Sequence, residues 1–256
     1  NPDKETVLTP WRVVNMQLAD TLGGWCFYDD EYEERLCAPR YVNKGQVTKL
    51  ALSEQSRVLE INSKSGLYPL YIAYSIYKSI IEKEQMSYMI TDAALENRIE
   101  HHYKVWDKVL RDNLYIICKT PMAKSITRRT LAGFREGVKM NARYFEDLVN
   151  QISNKKEKFV KQVTSGSYWN KKDIQDMNFN AIVGNPPYQI KLEGTSDNPI
   201  YHIFMQIGYQ LSDKASFITP ARFLFNAGKT PTEWNNRMLN DPHFKVIWYK
   251  PNSGDL

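Results

Sequence analysis

The sequence predicts an α/β fold in which a mostly parallel β-sheet carries helices on both faces. Three observations lead there. Short apolar runs have strand length; segments of helical periodicity stand between them; and 42% hydrophobic with 25% charged residues over 256 positions is the mix of a chain that buries a core unaided. The first periodic segment follows Thr9-Pro10, with Thr9 suited to an N-cap and Pro10 to the first helical position. It carries Val13, Val14, Met16, Leu18 and Leu22 and stops at Gly23-Gly24. Residues 25–41 are aromatic and acidic without a period, and read as an irregular connection. Residues 57–62 form a strand, 63–66 a turn, and 67 to about 84 a helix. A second helix over 93–110 precedes a strand at 114–118, and Thr120-Pro121 opens a helix that runs through Leu131. Strands at 179–183, 215–219 and 244–249 then alternate with helices near 198–212 and 230–240. In such a sheet ligands bind beyond the carboxyl ends of the strands, so the loops after Asn62, Cys118, Gly184 and Thr219 are expected to converge on one crevice.

Composition narrows the function classes. No run reaches the roughly 18 apolar residues that a bilayer-spanning helix needs, and the polar start is unlike a signal peptide, so no membrane partner is expected. Cys26, Cys37 and Cys118 are odd in number and form no Cys-x-x-Cys pair, which predicts neither a disulfide framework nor a zinc site and fits a reducing cytoplasm. His101-His102 lack metal-pair spacing, and no metal site is assigned. The net charge of +5 leans toward a polyanionic partner without the density of a purely electrostatic binder. Tyr68, Tyr71, Tyr74 and Tyr77, three residues apart, read as helix-to-sheet packing rather than a ladder for bases. Lys124 with Arg128-Arg129, Lys171-Lys172 with Lys191, and the charge run 154–158 read as solvated faces or helix ends.

Asn185-Pro186-Pro187-Tyr188 follows a strand directly, where a catalytic loop belongs. Two successive prolines remove two backbone donors and fix two φ angles, which holds the loop open with carbonyls outward. The Asn185 amide beside the Pro186 carbonyl offers two acceptors for the hydrogens of an exocyclic amino group, and the Tyr188 ring can stack on the attached base.

This arrangement resembles the Asn-Pro-Pro-Tyr motif of γ-class N6-adenine DNA methyltransferases, and the chain is similar to the methylase domain of large restriction-modification enzymes. The resemblance implies a Rossmann-like methyltransferase fold, S-adenosylmethionine as cofactor, and double-stranded DNA with a flipped adenine as substrate. It makes Asn185, Pro186, Pro187 and Tyr188 catalytic. Val7-Leu8-Thr9-Pro10 looks like the family's N-terminal cofactor-contacting segment, and 60–66 takes the place of its Gly-rich cofactor loop. The implied cofactor-binding set is Thr9, Pro10, Glu60, Asn62, Ser65, Gly66, Cys118 and Asn185. Thr219-Pro220-Ala221-Arg222-Phe223 resembles a later family stretch. Residues 1–256 then form the catalytic domain, with 1–50 as the N-terminal segment and connection. The target-recognition domain is expected outside this stretch, in a longer restriction-modification polypeptide.

The sequence also departs from the family. The usual cofactor loop is Asp-Pro-x-x-Gly-x-Gly, and Lys64 stands in place of one glycine. Cys118 occupies the position of the acid that takes the ribose hydroxyls, and a thiol is a weak acceptor. For the acid near the cofactor's adenine only Asp147 and Asp173 are candidates. These gaps leave other readings open: the tetrapeptide also suits a glutamine amide in a protein or an adenine in RNA, and Lys64 with Cys118 suits a methylase-like module of weak or no activity.

Overall fold

The computed structural model describes residues 8–87, 95–190 and 198–251. In chain order they form α1 (Trp11–Thr21), β1 (Gly24–Tyr28), β2 (Arg35–Val42), α2 (Gln46–Ala51), β3 (Val58–Ser63), α3 (Leu67–Ser87), α4 (Leu95–Asp112), β4 (Leu114–Cys118) and α5 (Pro121–Ala132). There follow β5 (Asn141–Tyr144), α6 (Leu148–Asn154), α7 (Lys156–Thr164), β6 (Ala181–Gly184), β7 (Gln189–Ile190), β8 (Asn198–Pro199), α8 (Tyr201–Leu211), β9 (Ala215–Phe217) and α9 (Thr232–Leu239).

Five strands make one parallel sheet in the order β5-β4-β3-β6-β9. The apolar runs are continuous because each strand is covered on both faces. Val58, Leu114, Ile116, Ala181 and Val183 face a core built with α1, α3, α4 and α5. The alternate residues Leu59, Ile61, Tyr115, Ile117 and Ile182 face a second core with α6, α7 and α8. The fold is therefore the mixed α/β, Rossmann-like architecture that the sequence predicts. The chain leaves β3 toward β4 and β5, then returns to β6 and β9 on the other side. Strand order reverses between β3 and β6, and the crevice of such a sheet lies at that switch point.

Local signals explain the better-placed elements. Thr120 caps α5 by accepting the Ala123 N–H at 3.1 Å, with Pro121 in the first turn. The charge run 154–158 spans the junction of α6 and α7 and is mostly exposed. Tyr68 and Tyr71 are buried in the core, while Tyr74 and Tyr77 contact Phe27 and Trp106, so that series does pack the helix.

Three expectations require correction. Residues 25–41 are not irregular: β1 and β2 pair as an antiparallel ribbon, whose alternation is hidden by a bulge between Cys26 and Tyr28 and by Pro39 in β2. The strand expected at 244–249 does not form. Val246, Ile247, Trp248 and Tyr249 are 43–49% exposed, and no ladder pairs them among the described residues; Trp248 is held instead by its indole N–H on Asp20 (2.5 Å). An apolar run needs a neighbouring strand to satisfy its backbone, and this one has none. Conversely, β5 is unpredicted because Asn-Ala-Arg-Tyr has no strand pattern. Pairing with β4 makes it, helped by Asn141 Nδ2 on the Arg111 and Leu114 carbonyls. Lys191, Val7 and the start of the helix expected from Ala93 lie outside the described residues. No helix among the described residues is long and apolar enough to cross a membrane.

Candidate active site

The carboxyl end of β6 delivers the tetrapeptide to the switch point. A Cβ on Gly184 would stand 2.7 Å from the Ile61 carbonyl oxygen, so glycine lets β6 leave the sheet hard against β3. Beyond it Pro186 is buried, Asn185 and Pro187 are half-buried, and Tyr188 is 38% exposed. Both flanks of the loop are pinned. Ile218 N–H donates to the Gly184 carbonyl (3.3 Å), and Ile200 N–H to the Tyr188 carbonyl (2.9 Å), where β7 pairs antiparallel with β8. Rigid prolines and fixed ends give a preformed loop rather than one ordered on binding.

Two side chains from distant parts of the chain reach Asn185. Asn62 donates from Nδ2 to the Asn185 main-chain carbonyl at 3.0 Å. Asn185 itself donates from Nδ2 to Thr9 Oγ1 at 3.1 Å. The amide also hydrogen-bonds the Tyr188 hydroxyl, which holds down a phenol pKa that burial raises. With the Nδ2 edge committed to Thr9, the Oδ1 edge of the amide is the one left for a substrate.

The β3 loop is built differently. Ile61 pairs with Ile117 and Ser63 with Cys118, so Asn62 is an inserted residue, and it adopts a left-handed φ of 72°. That bulge turns its side chain across the switch point toward Asn185. Glu60 shares the face of Val58 and is 4% exposed. Burial raises its pKa to about 8, against the smaller opposing effects of a Ser63 hydrogen bond and the Lys64 charge. Its carboxyl is therefore mostly protonated at neutral pH. Glu60 Oε2 and Asn62 Oδ1 are both buried without a hydrogen-bond partner among the described residues. Two such acceptors side by side suit a ligand bearing N–H or O–H donors, because leaving them bare costs desolvation. Farther along, Thr130 Oγ1 donates to the Ser65 carbonyl at 2.6 Å, and Gly66 has φ of 78°. A Cβ on Gly66 would lie 3.0 Å from Thr127 Cα, so glycine seats the loop on α5. Lys64 is half-buried, with a pKa lowered by burial and by Lys119 and partly restored by Glu60.

The sequence-predicted residues divide accordingly. Thr9, Glu60, Asn62 and Asn185 come together; Ser65 and Gly66 adjoin them through the loop. Thr9 does not cap α1, whose N-cap is Pro10 without a side-chain bond; the Thr9 hydroxyl goes to Asn185. Pro10 is exposed, and Cys118 turns away from solvent: fully buried, it faces Thr127 Oγ1 at 4.0 Å, and burial pushes its thiol up to about 12. Asp147 sits exposed before α6 and accepts from Asn150. Asp173 is exposed in a turn that Lys171 ties to Arg111 and Asp112, ahead of β4 and thus at the opposite edge of the sheet. Phe223 of the 219–223 stretch is a packing residue against Tyr201 and Trp234.

Gln17, Tyr68 and Ser216 join the site unpredicted. Tyr68 donates to Gln17 Oε1 (2.5 Å), and Gln17 Nε2 donates to the Ser216 carbonyl (2.9 Å) and hydroxyl (3.0 Å). The available signal was an amide on the apolar face of α1, between Met16 and Leu18, a place that demands buried partners.

Comparison with known proteins gives one family. The model described as Eco57I restriction-modification methylase matches residues 112–255, which contain β4 through α9 and the whole tetrapeptide loop. Among curated proteins none matches the chain.

Proposed function

Since the chain belongs to the Eco57I restriction-modification methylase family, we propose that it transfers a methyl group from S-adenosylmethionine to N6 of a flipped adenine in double-stranded DNA. The observation that carries this reading is the Asn185–Tyr188 loop, held at the switch point with its amide acceptor turned outward. An adenine amino nitrogen is a poor nucleophile, because its lone pair is delocalised into the ring. Asn185 Oδ1 and the Pro186 carbonyl accept its two hydrogens and favour the pyramidal, attacking form, so catalysis is positioning and preorganised electrostatics. Tyr188 stacks on the extruded base. Such stacking is worth about 1–3 kcal/mol and offsets part of the few kcal/mol spent on unstacking. When bound, S-adenosylmethionine supplies the methyl group from a sulfonium centre. Glu60 and Asn62, with their unpartnered buried oxygens, would hold its donor groups, and Gly66 would admit its close approach. Incubating the protein with tritiated S-adenosylmethionine and DNA, then digesting to nucleosides, tests the reading. Label in N6-methyladenine that disappears with Asn185→Ala supports it, and label unaffected by that change removes Asn185 from the mechanism.

Lys64 in the loop and the inward Cys118 favour a second reading, a methylase-like module that holds the cofactor weakly. Calorimetric titration with S-adenosylmethionine separates the two: saturable binding in the micromolar range supports an enzyme, and no heat at millimolar cofactor supports the module.

A further inference from the structure

We infer that Thr9, Tyr68 and Gln17 are positioning residues that fix which edge of the Asn185 amide faces the substrate. The inference rests on the catalytic reading of Asn185 given above. An amide side chain can sit in its cavity either way round, and only the orientation with Oδ1 outward can accept an amino hydrogen.

The direction is set at the far end of a buried relay. The Ser216 main-chain carbonyl can only accept, so it draws the Nε2 side of Gln17 toward itself (2.9 Å). Gln17 Oε1 must then accept, and it takes the Tyr68 hydroxyl proton at 2.5 Å. Having given its proton away, the Tyr68 oxygen accepts from the Thr9 hydroxyl, an interaction that opposes the rise in its pKa caused by burial. Thr9, its own proton used, presents lone pairs to Asn185 and receives Nδ2–H at 3.1 Å. Each member thus donates one way, from Asn185 to Ser216, and reversing the last step would leave two acceptors facing each other. All three positioning residues are buried, at 8%, 4% and 7% exposure, so water cannot readily substitute for a missing member. Their placement is tertiary: Thr9 precedes α1, Gln17 lies on α1, Tyr68 on α3 and Ser216 in β9. Thr21 Oγ1 on the Ser216 hydroxyl (3.1 Å) adds a second tie between α1 and β9.

This assigns Thr9 to the catalytic amide rather than to the cofactor, and the two roles predict opposite kinetics. For Thr9→Val, a relay predicts a turnover reduced about 10- to 100-fold, with the calorimetric Kd for S-adenosylmethionine within about twofold of wild type; Thr9→Ser recovers most of the loss. A cofactor contact predicts a raised Kd with turnover kept at saturation, and that outcome overturns the proposal. A readout independent of activity is hydrogen exchange at the Asn185 side-chain amide, followed by nitrogen-15 NMR and assigned by its absence in Asn185→Ala. Slow exchange in wild type and Thr9→Ser, with fast exchange in Thr9→Val and Tyr68→Phe, supports the relay; equal rates in all four overturn it. Should wild type methylate no adenine, the catalytic reading fails on its own, and the exchange rates still decide the relay.

Discussion

The loops that follow β6 and β3 meet at 3.0 Å through Asn62 and the Asn185 carbonyl, yet they are held by opposite means. The β6 loop carries its shape in its own residues: two prolines fix its backbone, and its working groups lie half-exposed at the crevice. The β3 loop has little local instruction. Its form comes from burial, from an inserted left-handed Asn62 and from contacts with α5, and it retains two buried oxygens without partners. A loop rigid by covalent geometry keeps its chemistry legible through sequence change. A loop rigid by packing can lose a family glycine, as at Lys64, and still be seated.

The contrast is sharpest for Asn185→Ala. Methyl transfer to DNA is expected to fall about 10²- to 10³-fold, the loss typical of one preorganised polar group, while the thermal midpoint stays near wild type because Asn185 is only half-buried. A large drop in midpoint would show that the β6 loop, too, depends on packing.

On the β3 side the expected effect is one of stability against pH. In the unfolded chain Glu60 ionises near 4.5, and in the fold near 8. Between those values the fold retains a proton that the unfolded chain has released, so the contribution of Glu60 is fully present below about 4.5 and is lost as pH rises toward about 8. Glu60→Gln cannot ionise. Urea unfolding from pH 5 to 8 should therefore show the variant gaining on wild type, by up to about 1.4 kcal/mol per pH unit. A difference independent of pH would mean that Glu60 is already charged in the fold.

Smaller still is the expected result for Gly184→Ala, where the added methyl meets the Ile61 carbonyl at 2.7 Å. A loss of about 1–3 kcal/mol in urea unfolding fits such overpacking. No loss would mean that β3 and β6 can separate at the switch point without cost, and the two loops could not then be held in register.

Much of this was readable in advance. The sheet strands β3, β4, β6 and β9 appear in the sequence as apolar runs because both of their faces are buried, and Thr120-Pro121 marks α5 by its capping chemistry. The tetrapeptide is legible for the same local reason, since proline acts on its own backbone wherever it stands. Other features were not. β5 exists only because β4 offers it a ladder, whereas 244–249 has strand composition and no ladder to join. Gln17 and Tyr68 lie 51 residues apart, and Asn185 and Thr9 lie 176 apart, separations at which no local pattern operates.

The sequence by itself determined the alternation of strands and helices and the open, acceptor-rich loop at Asn185–Tyr188, because period, apolarity and proline geometry act over a few residues. Only the tertiary structure decided which side chains that loop meets, that Cys118 turns inward, and that Glu60 holds its proton. Those outcomes depend on which strands become neighbours and on how completely water is excluded between them.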